Sequence, residues 1–230
     1  MNEPSSSSEL RPVRVWDLPT RLFHWTLALA IVGLLITSKI AGNALVWHMR
    51  LGLLVLALLV FRLLWGVVGG HWSRFARFAY APSTTLRYLR GEHRAGDHFD
   101  VGHNPLGAFS VFAMLGILVV QVATGLFAND EIATTGPLNR FVSESTGIAL
   151  TSWHKGPGQW TIIVLVVLHI GAIVFYRLRG TGLVAPMWAG DKLLPATVPP
   201  TLDGVRQRVL ALVLFAACAA LSVYIERLGA

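Results

Sequence analysis

The sequence predicts an all-α integral membrane protein with five transmembrane helices. Two observations carry that fold class. Of the 230 residues 54% are apolar and only 13% are charged, a balance too apolar for an ordinary soluble domain. The apolar residues are also gathered into five runs that approach or exceed the ~18 to 20 residues needed to cross a bilayer.

The first run, 22–38, follows the polar, Ser-rich "MNEPSSSSEL". No small-residue cleavage site comes after it, so it is expected to remain as helix one. The second, 46–69, contains Arg50 and Arg62. The third, 106–128, is opened by "HNPLG", in which Asn104 suits an N-cap and Pro105 a first helical position. The fourth is 161–176 with its flanks and the fifth is 209–225. The Pro-rich "DKLLPATVPP" divides the chain into a four-helix core at 1–190, a linker at 191–205 that separates the last helix from the core, and an additional helix at 206–230.

Basic residues set the expected orientation, because they are retained on the cytoplasmic side. Fourteen of the 19 Lys and Arg lie in the N-terminal tail, around the 70–104 connection with Arg62, or after helix four. That places the N-terminus in the cytoplasm, with the bacterial cytoplasmic (inner) membrane as the expected location. All eight Trp fall near predicted helix ends, as an aromatic belt requires. The net charge of +7 is thereby explained without nucleic acid, since the basic residues form no continuous patch. The single cysteine, Cys218, excludes a disulfide framework, a Cys-based metal cluster and a C-x-x-C-H attachment site.

Ionisable groups within a bilayer are costly and mark function. His24 lies just inside helix one near the cytoplasmic face, and His48 near the outer start of helix two. Helix four carries His154 toward its outer end and His169 toward its inner end. Fifteen residues separate that pair, or ~22 Å at the rise of an α-helix, so they cannot share one metal ion. Each can instead pair at its own depth, His169 with His24 inside and His154 with His48 outside. Two imidazoles on facing helices are what six-coordinate b-type haem iron requires. Two such sites predict a haem-binding four-helix bundle with two non-covalent haems b stacked across the membrane.

Small residues one turn away, Ala28 beside His24 and Gly52 beside His48, leave room for a porphyrin. Arg62 falls at the inner level, where it can neutralise a propionate, anchor a lipid headgroup or simply snorkel. Arg50 and Lys155 stand in the same relation to the outer level. His103, directly before helix three, can meet a propionate or a quinone, or serve in the loop. His71, His93 and His98 lie outside the apolar runs and are expected to be solvated.

"VWDLPTRLFHW", "HMRLGLLVLALLVFRLLWG", "GHNPLGAFSV" and the "WH" to "LH" spacing of helix four together resemble the bacterial cytochrome b561 family, which includes b-type cytochrome subunits of nickel-iron hydrogenases. The resemblance covers roughly 13–190. It implies two haems b on His24, His48, His154 and His169, the set that depth already selects. It also implies electron transfer between the membrane quinone pool and a redox partner such as a hydrogenase, a dehydrogenase or a c-type cytochrome. The linker and fifth helix depart from the four-helix pattern.

The resulting expectation is a transmembrane electron carrier, with a homodimer an open arrangement. One alternative is a self-contained quinone oxidoreductase acting on a small external substrate, although no nucleophile with a base is visible. Another is a His-lined metal or proton transporter, which would need clustered carboxylates or imidazoles, whereas helix three offers only Gln121.

Overall fold

The computed structural model describes residues 9–40, 42–92, 94, 96–131 and 134–229, and is predominantly helical. His93 lies outside the described residues, as do residues 1–8. Five helices are long and apolar enough to span a membrane. The first two are α1 (Leu18–Thr37) and α2 (Ala44–Val68). A connection holding a short helix, α3 (Pro82–Leu89), leads to the third, α4 (Pro105–Leu126). The fourth is continuous from Glu144 to Leu178. It consists of α5 (Glu144–Trp153), a π turn (His154–Gly158) and α6 (Gln159–Leu178). After α7 (Val184–Ala189) comes the last span, α8 (Val205–Leu228).

Helix starts follow local chemistry. Asn104 accepts the Gly107 N–H at 2.8 Å with Pro105 in the first turn, so the expected cap of α4 is present. Asp17 caps α1 in the same way, accepting the Thr20 N–H at 2.7 Å ahead of Pro19. The fourth span begins well before the apolar run because Ser143 caps α5 through the Thr146 N–H.

α2 is the centre of the bundle. Its Val55, Leu58, Leu59, Phe61 and Trp65 are buried among residues of α1, α4, α6 and α8. The fifth helix is not held apart from the core by the linker. Ala211 and Cys218 of α8 are buried in the same apolar interior, and Phe215 meets the edge of the Phe61 ring at 6.0 Å.

The linker region also forms structure that periodicity does not reveal. Residues Asp191–Pro195 (β2) pair antiparallel with Leu10–Arg14 (β1), Arg14 facing Asp191. Arg14 bonds Asp191 at 2.7 Å and Asp203 at 3.3 Å, and Asp203 also receives Arg208 of α8 at 3.1 Å. The strands and the 70–104 connection build a cap over one end of the bundle, around a small core of Val15, Trp16, Trp72, Val101 and Leu194. Three tryptophans expected in a lipid-facing belt therefore lie inside: Trp16, Trp65 and Trp72 are buried, whereas Trp47, Trp153, Trp160 and Trp188 are exposed. Their indoles are recruited by the cap. Trp65 Nε1 donates to Asp17 at 3.1 Å, and Trp72 Nε1 to the Pro199 carbonyl at 2.9 Å.

Candidate functional site

The four histidines meet in two pairs. His24 of α1 faces His169 of α6 with ring centroids 6.3 Å apart, and His48 of α2 faces His154 of the π turn at 6.2 Å. Two metal–nitrogen bonds of about 2.0 Å, extended by the radii of two imidazole rings, give a centroid separation of about 6.2 Å. Both pairs thus stand at the spacing of two imidazoles on one iron, one pair near the cap and one toward the opposite end. Among the described residues, no group of three or more His, Cys, Asp or Glu is gathered for a bare metal ion.

At the end away from the cap, His48 and His154 line a cavity of about 500 Å³ whose other walls include Ile31, Leu34, Leu118 and Ile162. Gly52 opens directly onto this cavity, with nothing within 4 Å of where a side chain would begin. Across from it, a methyl group on Gly125 would stand 2.9 Å from His154 Cε1, so only glycine lets α4 approach the ring. An apolar chamber with a histidine on each wall fits a flat, largely apolar macrocycle. Lys39 and Lys155 line the same cavity. Arg50 does not: it is exposed and lies over the Trp47 ring at 5.2 Å. Lys39 was not singled out in the sequence because it lies just past the apolar run; its proximity depends on how α1 ends against α2.

At the cap end, buried polar atoms lack partners. Nδ1 of His24, Nη1 of Arg62 and Nδ1 of His103 are all buried without a hydrogen bond. Unpaired buried donors are expensive, and a propionate is the kind of acceptor that would satisfy a guanidinium here. Arg62 does not snorkel. It is 3% exposed, and its guanidinium carbon lies 4.5 Å from the Phe75 ring centroid and 6.0 Å from that of Phe23. The His103 ring is wedged between Trp16 at 4.8 Å and Phe78 at 4.6 Å. Burial, with Arg62 and then His24 and His169 adding to it, holds the His103 pKa down to about 3. His103 is therefore neutral at physiological pH. His71 is partly buried beside Trp72, and His98 is exposed.

The donor set fits haem: at the outer level facing imidazoles, an apolar chamber and two lysines, and at the inner level facing imidazoles beside the unpaired guanidinium of Arg62. Fold and site together define the class of membrane-embedded b-type cytochromes. The chain belongs to the prokaryotic cytochrome b561 family, whose model matches residues 15–190. Its cofactor is accordingly haem b. It is similar to a probable Ni/Fe-hydrogenase B-type cytochrome subunit of Cupriavidus necator, with 26% identity covering 76% of this chain and 84% of that protein. A protein of the same description from Rhizobium leguminosarum bv. viciae is 24% identical, covering 80% and 90%. The probable Ni/Fe-hydrogenase 1 B-type cytochrome subunit of Escherichia coli K12 is 24% identical, covering 68% and 80%. No solved structure matches the chain. The matched region ends before α8, so the fifth span lies outside it.

Proposed function

We propose that this protein is a diheme electron carrier of the bacterial cytoplasmic membrane, linking the quinone pool to a redox partner that the relatives' names identify as a nickel-iron hydrogenase. A dehydrogenase or a c-type cytochrome would meet the same chemistry. The observation that carries the reading is the pair of imidazole couples at 6.3 and 6.2 Å. Both separations suit an iron between the rings, and the intervening helix keeps the couples at different depths.

When bound, haem b would supply a one-electron iron couple. His24 and His169 hold the inner group, toward the cytoplasmic cap. His48 and His154 hold the outer one. Arg62 and His103 border the inner site, where Arg62 can pair a propionate and His103, neutral and aromatic-flanked, can border a propionate or a quinone. Lys39 and Lys155 serve the outer propionates. α6 fixes the interval between the two levels. The basic cap, with Arg74, Arg77, Arg87 and Arg90, faces the cytoplasm under the positive-inside rule.

The test is spectroscopic. The purified membrane protein, reduced with dithionite, should show b-type absorption bands and contain two haems per chain by pyridine haemochrome assay. His48→Ala or His154→Ala should each remove one haem and leave the other. Absence of b bands refutes haem binding, and a single haem per chain refutes the diheme assignment.

A further inference from the structure

α4 is the only helix of the four-helix core that contributes no haem-ligand candidate, and it carries a single amide side chain, Gln121. Its contacts explain both facts. His154 Nδ1 lies 2.9 Å from the Gln121 carbonyl oxygen. A carbonyl only accepts, so Nδ1 carries the proton and Nε2 is left with its lone pair free for iron. Thr124 Oγ1 donates to the same carbonyl at 2.9 Å and stands 3.2 Å from His154 Nδ1, its remaining lone pairs available to the imidazole N–H. The Gln121 side chain grips the other end of the residue, Nε2 donating to the His154 carbonyl at 2.9 Å. Its Oε1 occupies the space where a Gly158 side chain would begin. One turn of α4, residues 121 to 125, thus holds both the ring and the backbone of His154.

His48 is held by the same chemistry from another helix. Its Nδ1 lies 3.2 Å from the Leu34 carbonyl and 3.2 Å from Thr37 Oγ1. The Thr37 hydroxyl proton is committed to the Gly33 carbonyl at 2.7 Å, so toward His48 the oxygen accepts. The inner pair differs. His24 Nδ1 has no partner, and no hydrogen bond reaches His169 among the described residues.

Building on the diheme reading, we propose that Thr124 and Gln121 of α4, with Thr37 of α1, are positioning residues of the outer haem. They fix the tautomer and ring orientation of its two histidines and make those imidazoles stronger electron donors than the inner pair. An acceptor at Nδ1–H shifts electron density toward Nε2, which stabilises ferric over ferrous iron and lowers the reduction potential. α4 therefore takes part in electron transfer through the ligand it holds, without touching iron.

The experiment is a redox titration of the full-length protein in detergent, following both haems optically and by electron paramagnetic resonance. Thr124→Val keeps the shape and removes one of the two acceptors at His154 Nδ1, leaving the Gln121 carbonyl in place. It should retain two haems and raise the outer midpoint by up to about 59 mV, the one-electron equivalent of a tenfold change. The inner midpoint should stay in place. Thr124→Ser should restore the wild-type value, and Thr37→Val, acting on the opposite ligand, should shift the same haem in the same direction. Unchanged potentials and unchanged outer g-anisotropy in fully loaded Thr124→Val and Thr37→Val would overturn the proposal, as would equal shifts of both haems. Failure of the underlying reading is distinguishable, because it appears already in the wild type as fewer than two haems per chain.

Discussion

Asp17 and Trp65, at the start of α1 and near the end of α2, are joined by a 3.1 Å hydrogen bond from the indole N–H to a carboxylate that is wholly buried. The same carboxylate accepts the Thr20 N–H at 2.7 Å, the Gly70 N–H at 3.2 Å and the Ser73 hydroxyl at 2.7 Å. Four donors converge on one anion, which locks the two helices carrying His24 and Arg62 to each other and to the cap.

Asp17→Ala should be costly, because it strands the Trp65 and Gly70 donors in a buried site and uncaps α1. The expected loss is about 3 kcal/mol or more. It should be visible as a lower thermal midpoint of the detergent-solubilised protein, with the inner haem lost before the outer. Asp17→Asn retains the shape and part of the bonding, and should fall between the wild type and Asp17→Ala.

Pro157 sits inside the π turn that carries His154. Lacking an N–H, it cannot close the usual bond to the carbonyl four residues earlier. A π turn takes up one residue more than an α turn, so it turns the rest of the helix back by up to about 100°. Pro157→Ala allows regular α-helix through this segment and rotates His154 away from His48. The expected outcome is selective loss or altered spectral anisotropy of the outer haem, with the inner haem intact. Haem quantitation with low-temperature spectra checks it.

Arg62 places a buried positive charge at the level of His24 and His103. Positive charge near haem favours the reduced, less cationic iron. Arg62→Leu should therefore lower the inner midpoint potential and leave the outer one unmoved, read by redox titration. A snorkelling arginine would give no such selectivity.

His103 has its pKa held down to about 3 in the folded protein, chiefly by burial, against about 6.5 in an unfolded chain. Between those values the unfolded state binds the extra proton, so stability rises with pH across this window and falls as pH drops below about 6.5. Hydrogen-exchange protection of the backbone around residues 96–104, corrected for the intrinsic slowing of exchange in acid, should fall on acidification through that range. His103→Phe, which keeps the ring packing against Trp16 and Phe78 without a titrating group, should flatten that response.

The five spans were legible in the sequence because each holds an apolar run that approaches or exceeds the length a bilayer requires. The match of His24 with His169 and of His48 with His154 was legible too, since helical rise converts residue number into depth. The clamp of β1 on β2 was not. Each strand is five residues long, and its partner lies at the other end of the chain. The Asp17 network likewise gave no local signal beyond a cap, for its donors sit on separate segments. Trp65 and Trp72 read as belt residues because a belt and a buried cap both place tryptophan at helix ends.

What the sequence determined by itself, then, is the membrane-spanning architecture and the depth of each histidine, because hydropathy and helical rise act locally and along one axis. What only the tertiary structure decided is everything set by rotation and lateral approach. It put Lys39 rather than Arg50 at the outer cavity, buried Arg62 between aromatic rings, packed α8 on α2, and brought Gln121 and Thr124 onto His154. Those outcomes depend on which faces of neighbouring helices meet. That choice is made by packing among residues far apart in the chain, where no spacing rule in the sequence reaches.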